Sequence, residues 1–214
     1  MTTFEELACA RRSIRKYAPD PVRPEDLAAL LRAAQAAPSA CGAQNWLFVV
    51  LQGRKDIEGL ARAVEAGVRR AHREFLPEAE ESYVEGRVRR STFVRSAPLV
   101  LAVYMRPVAY ADARLEALHL RLSYEAEMER LARPDILGLG AAIENLLLCA
   151  QDLGYGGCWM NAPALAAPEI DEYLGKAGEG LRLMSLVPIG RPAYTPREKP
   201  LRPDAVEFRA NEEA

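Results

Sequence analysis

The stretch RRSIRKY, Arg11 to Tyr17, places Arg11, Arg12, Arg15 and Lys16 around a single hydroxyl, Ser13. Guanidinium forks and a hydroxyl in one short segment can hold a phosphate, because the planar N–H fork matches phosphate oxygens in pairs. A solvated charge run has the same composition, so this segment alone leaves both readings open. Other chemistry is thinner. Cys9, Cys41, Cys149 and Cys158 form no C-x-x-C pair, and His72 and His119 are far apart in the chain. A structural zinc site takes four close-set ligands, so no metal is expected. A Cys nucleophile with a His base has no local motif, and buried thiols in a reducing compartment are the expectation for all four cysteines. GLGAAIEN lies inside a helical pattern and does not fit a glycine-rich dinucleotide fingerprint.

The elements that must position these groups follow from periodicity. RPEDLAALLRAAQAAPSA reads as a helix, with Pro24 in the first turn, Glu25 and Asp26 at the positive end of the dipole, and Pro38 as its stop. Leu27, Leu30, Leu31 and Ala34 share one face of it. WLFVVLQG, from Trp46, reads as a strand, with Trp46 packing in the core. Residues 56–95 are expected to be mostly helical and densely charged, Ala97–Met105 to be a strand buried on both faces, and 109–133 to be helical as far as Pro134. GAAIENLLLCAQDLG is apolar over a wide arc, so a central helix capped by Gly154 is expected, with Glu144 and Asn145 as polar exceptions. A glycine-rich loop or short strand, GYGGCWMNAP, follows. A short helix around PEIDEYLG comes next, and RLMSLVPIG is the last strand. The proline-rich tail from Arg191 should run extended over a surface.

Composition sets the frame. The 214 residues suffice for one sizeable domain, and half of them are hydrophobic, which fits a globular fold of mixed α and β over 1–214. Lys plus Arg (28) nearly balances Asp plus Glu (30), which argues against a nucleic-acid partner. The N-terminus has no signal-peptide pattern and no apolar run reaches a membrane span, so a cytoplasmic protein without a membrane partner is expected.

Four stretches in order, RRSIRKY, AAPSACGAQNWLFVV, ENLLLCAQDLGYGGCWMNAP and PIGRPAYTPREKPL, resemble the FMN-dependent nitroreductase family over nearly the whole chain. The resemblance implies an α+β fold with a central, mainly antiparallel sheet flanked by helices. It also implies a homodimer with an extended C-terminal tail and one FMN in each of two interface clefts. By this carry-over Arg11 binds the FMN phosphate, Ser13 adds a polar contact, and Arg12 joins them or faces solvent. Arg15 reaches the flavin edge where negative charge collects on reduction. Pro38, Ser39, Ala40, Gly42 and Gln44 match the flavin-contacting loop, with Ser39 and its neighbours acting across the dimer interface. Gly42 stands where the family has Asn, and Asn45 where it has a second Pro, so one polar side chain near the ring is missing. Backbone N–H groups at Met160, Asn161 and Ala162 are expected to face flavin N5 and O4, with Gly156 and Gly157 allowing close approach. Arg197 and Lys199 match the tail's basic pair at the phosphate. Arg191 and Arg202 are weaker candidates.

The implied activity is hydride transfer from NADH or NADPH through flavin N5 to electron-poor aromatic acceptors such as nitroaromatics or quinones, in ping-pong order. The charged region 72–133 is expected to include a lid. Relatives with this fold also dismantle flavin, remove iodine from aromatic rings or oxidise peptide heterocycles, and a non-catalytic flavin sensor is a further alternative.

Overall fold

The computed structural model describes residues 3–107, 124–197, 200 and 205–207. Two helices precede the sheet, α1 (Phe4–Ala10) and α2 (Pro24–Gln35). Strand β1 (Trp46–Leu51) leads into α3 (Arg54–Phe75) and α4 (Glu81–Thr92), and β2 (Leu99–Met105) follows. Then come α5 (Tyr124–Arg130), α6 (Pro134–Asp152), β3 (Gly156–Gly157), α7 (Ala167–Leu174) and β4 (Arg182–Gly190). The sheet order among the described residues is β1-β2-β4-β3, with every pair antiparallel.

Strand β2 explains the layering. Alternate side chains point to opposite faces of a strand. Val100, Ala102 and Tyr104 join one apolar cluster with Leu60, Val64 and Ile170 from α3 and α7. Leu99, Leu101 and Val103 join the other with Leu30, Ala34, Ile143 and Leu146 from α2 and α6. The strand is therefore buried on both faces, as its unbroken apolar run requires. Trp46 is buried in the second cluster, and Asn145 donates from α6 to the Ala33 carbonyl at 3.2 Å, tying α6 to α2. On the outer side of α3, Arg69 bridges Glu65, Glu81 and Glu85, so the charges of this region lace α3 to α4.

Several expectations need correction. Helix α1 was not anticipated, although Thr3 and Glu6 form a reciprocal capping box that the T-x-x-E spacing encodes. Cys158 is buried and Cys149 partly so, but Cys9 and Cys41 are exposed. Of the region 72–133, residues up to 107 form the end of α3, α4 and the central strand, and α5 covers 124–130. Residues 108–123 of the region expected to include a lid lie outside the described residues, as does Lys199. No helix among the described residues is long and apolar enough to cross a membrane.

Candidate functional site

The segment after α1 is extended and lies along the sheet edge beside β3. Ile14 N–H donates to the Gly157 carbonyl at 3.0 Å, and Ser13 bridges Gly157 in parallel. The two glycines permit this approach. A Cβ on Gly156 would fall 2.3 Å from Ile14 Cγ1, and one on Gly157 would fall 2.6 Å from Leu147 Cδ2. Their smallness therefore serves the packing of RRSIRKY and α6 against β3.

This docking gathers Arg11, Ser13 and Arg15 around the Cys158 thiol. Burial pushes that thiol's pKa up. The neighbouring Arg15, Ser13 and Arg11 side chains each oppose the shift. Arg11 also meets α6, with its Nε 2.8 Å from Glu144 Oε1. The Nε is buried, yet its N–H is not aligned with the carboxylate and has no hydrogen-bond partner. Two guanidinium groups, one of them with an unused buried donor, and a hydroxyl thus lie along one short segment at the end of β3. That donor set fits a phosphate.

Arg12 differs from its neighbours. Its NH1 donates to the Cys9 and Arg11 carbonyls, and its Nε donates to the Arg197 carbonyl at 3.3 Å. Its Nε and NH1 are committed to main-chain acceptors, so within this chain Arg12 is turned toward the backbone of α1 and of the tail. Arg197 arrives there because the tail pairs with its own chain. Ala18 N–H donates to Arg191 O at 2.9 Å, Tyr17 bridges Pro192, and Ala193 N–H donates to Lys16 O at 3.1 Å. The Tyr194 hydroxyl donates to Ser13 O at 3.4 Å. From Arg191 to Arg197 the tail is therefore an antiparallel companion of residues 12–18.

In GYGGCWMNAP, Met160 is committed to β4. Its N–H donates to Leu186 O and its carbonyl accepts from Leu186 N–H, both at 3.0 Å. The Met160 N–H is thus committed to β4, which corrects its expected role as a donor to the flavin. Asn161 and Ala162 open a 3₁₀ turn, and their N–H groups have no backbone partner among the described residues. They point out of the turn as donors.

The loop Pro38–Gln44 is built elsewhere. Ser39 Oγ accepts from Gln44 N–H at 2.9 Å. Cys41, Gly42 and Gln44 have φ of 52°, 65° and 43°. Gly42 therefore occupies the left-handed region, which Gly and Asn tolerate best, and this gives a backbone reason why either residue suits the position. Asn45 is buried and donates to the Asp135 carbonyl at 3.1 Å, fastening the loop to the first turn of α6. Pro38, Ser39 and Ala40 face Pro134, Leu137, Gly138 and Ala141 across an open apolar groove of about 280 Å³. Within one chain this loop does not join the Arg11 cluster. Ser39 packs at Gly138 and Arg11 at Glu144, positions about 9 Å apart along α6 and about 120° apart around it.

Behind the cluster, Tyr155 donates to Asp26 Oδ2 at 2.7 Å, and Arg23 grips the same carboxylate through Nε at 2.7 Å and NH2 at 2.8 Å. Arg191 lies over the Tyr155 ring, 5.0 Å from its centroid. The Arg23 hydrogen bonds, and then that of Tyr155, hold the Asp26 carboxyl below its usual range. This network pins the start of α2 to β3. In the sequence Asp26 shows as a helix-dipole residue and Arg191 as a weaker tail candidate, and no local pattern links either to Tyr155.

This architecture has relatives. A BluB-like flavoprotein of Clostridium difficile 630 superposes with a TM-score of 0.81 at 26% identity, covering 98% of this chain and all of the other. A nitroreductase of Bacteroides fragilis with bound FMN shares the fold, with a TM-score of 0.71 at 21% identity, covering 96% and 98% of the two chains. An Archaeoglobus fulgidus protein, named among the NADH dehydrogenase/NAD(P)H nitroreductases, is 28% identical over 85% of this chain and 81% of its own. An iodotyrosine deiodinase of Thermotoga neapolitana is 25% identical over 90% of each. The model of the nitroreductase family matches residues 8–191, from the end of α1 to the first residue of the tail, so the Arg11 cluster, the Ser39 loop and α6 all fall within it, and the chain belongs to that family.

Proposed function

We propose that this protein is an FMN-dependent oxidoreductase that draws hydride from NADH or NADPH and delivers it to an electron-poor aromatic acceptor. The observation that carries the reading is the docking of RRSIRKY against β3, with Ile14 N–H on the Gly157 carbonyl and Ser13 bridged to Gly157, and with the buried Arg11 Nε aligned to no acceptor. Bound FMN supplies the two-electron chemistry, and the chain supplies position and charge. Arg11, Ser13 and the tail cation Arg197 hold the phosphate. Arg15 places a fixed cation where the ring gains negative charge, which favours two-electron uptake. The N–H groups of Asn161 and Ala162 anchor the polar edge of the ring. The names of the relatives support this reading, since they include flavoproteins and NAD(P)H nitroreductases.

The Ser39 loop completes the site from a second copy of the chain. Leu137, 66% exposed on α6, and the half-exposed Trp159 offer apolar surface for that copy. Proton donors come from solvent, so no side-chain general acid is assigned. Acid release and chromatography of the bound cofactor test the first claim; colourless protein that takes up no added FMN overturns it. An anaerobic half-reaction with NADH and with NADPH, followed by an acceptor panel, tests the second. The panel includes 3-iodo-L-tyrosine, because a relative is an iodotyrosine deiodinase. Deiodination faster than nitro or quinone reduction would move the assignment to reductive dehalogenation in the same cleft.

A further inference from the structure

We infer that Arg12 is a positioning residue that latches the C-terminal tail and thereby places Arg197 at the phosphate end of the cofactor site. The inference rests on the FMN reading above for its functional half. Its structural half rests on three main-chain acceptors. Cys9 and Arg11 carbonyls lie at the exit of α1, and the Arg197 carbonyl lies 185 residues away. One guanidinium spans them because its donors radiate in a plane from a rigid fork, which a lysine ammonium cannot match.

The rest of the tail explains why a latch is needed. The pairing with residues 12–18 supplies two backbone hydrogen bonds, at Arg191 and Ala193, and one long side-chain contact at Tyr194. Past Tyr194, the bond from Arg12 to the Arg197 carbonyl ties the tail to the N-terminal segment. Residues 192–195 are exposed, so little apolar burial assists. A segment held by so few bonds frays at its end unless that end is tied. The latch ties it next to Arg11 and Ser13, the residues assigned to the phosphate. Arg12 thus acts through Arg197 and touches no ligand itself.

The test has two arms. Hydrogen exchange without cofactor compares the native chain with Arg12→Ala and Arg12→Lys. Both variants should lose protection over 191–197 while β4 stays protected. Unchanged protection of the tail overturns the latch, whatever the protein binds. The second arm follows FMN release from the native chain, Arg12→Ala, Arg197→Ala and the double variant. Each single change should speed release about tenfold, and the double variant should be no faster than Arg197→Ala. Additive effects, or a freed tail with native FMN retention, overturn the positioning role. A native chain that binds no FMN overturns the functional reading in "Proposed function" and the cofactor half of this inference together, and the exchange arm still decides the latch.

Discussion

Arg11 Nε lies 2.8 Å from Glu144 Oε1, so the residue assigned to the phosphate already has an anionic neighbour. Both side chains are partly exposed, at 29% and 41%, and such a pair contributes at most about 1 kcal/mol to stability. Its larger effect should fall on binding, because the carboxylate repels a phosphate that approaches the same guanidinium. Glu144→Gln should tighten FMN binding several-fold in a fluorescence titration while leaving the urea midpoint nearly unchanged. Weaker binding in this variant would show instead that Glu144 holds Arg11 in its productive orientation.

Arg15→Ala should slow reduction of bound flavin far more than it harms folding. Arg15 is exposed, so its removal leaves no cavity. Losing one donor aimed at developing charge slows comparable reactions about a hundredfold or more. Anaerobic stopped-flow bleaching by NADH measures this, and a native rate with FMN bound removes Arg15 from that role.

The Asp26 network makes a pH prediction. The folded carboxyl is held below the ordinary value of 3.8 by Arg23 and Tyr155. A depressed folded pKa gives stabilisation that is complete above the unfolded value and vanishes as pH falls through the folded one. Asp26→Asn should therefore lower Tm at neutral pH, and its deficit should shrink as pH is taken below about 3.8. A deficit constant across that range would assign the loss to packing.

Gly42 can be tested through its backbone. With φ at 65° and open space where a Cβ would project, Gly42→Asn should be tolerated. Gly42→Val should cost about 1–2 kcal/mol, because a β-branched residue resists the left-handed region. Urea unfolding checks both variants. Equal stability of the two would mean that the loop relaxes to another conformation.

Assembly is a separate prediction. Light scattering should report a homodimer, and Leu137→Glu on the exposed edge of α6 should yield monomers that lose FMN. Stable two-chain interfaces of the obligate kind bury on the order of 2,000 Å² or more, so one buried charge there is severely disruptive. A monomeric native chain that retains FMN and turns over would remove the Ser39 loop from the site.

The sequence by itself determined the strands and the long helices, because their signals are local. The β4 strand, Arg182–Gly190, matches the stretch RLMSLVPIG, and the unbroken apolar run of β2 required burial on both faces. Gly154, with φ of 77°, follows the last turn of α6, where a helix end favours glycine. The resemblance to the family, carried by four stretches in order, pointed to Arg11, Ser13 and Arg15. Tertiary structure decided what each group's neighbours leave it free to do. Arg12 is as basic as Arg11, but the tail's return brings Arg197 O within reach of its Nε. Met160 sits in the expected stretch, but its N–H is consumed by Leu186, a partner no local pattern identifies. Glu144 read as a polar exception on an apolar helix until α1 set Arg11 against it. Periodicity reports which face of an element is buried. Hydrogen-bond commitments depend on which distant carbonyl or carboxylate arrives, and only the folded chain fixes that.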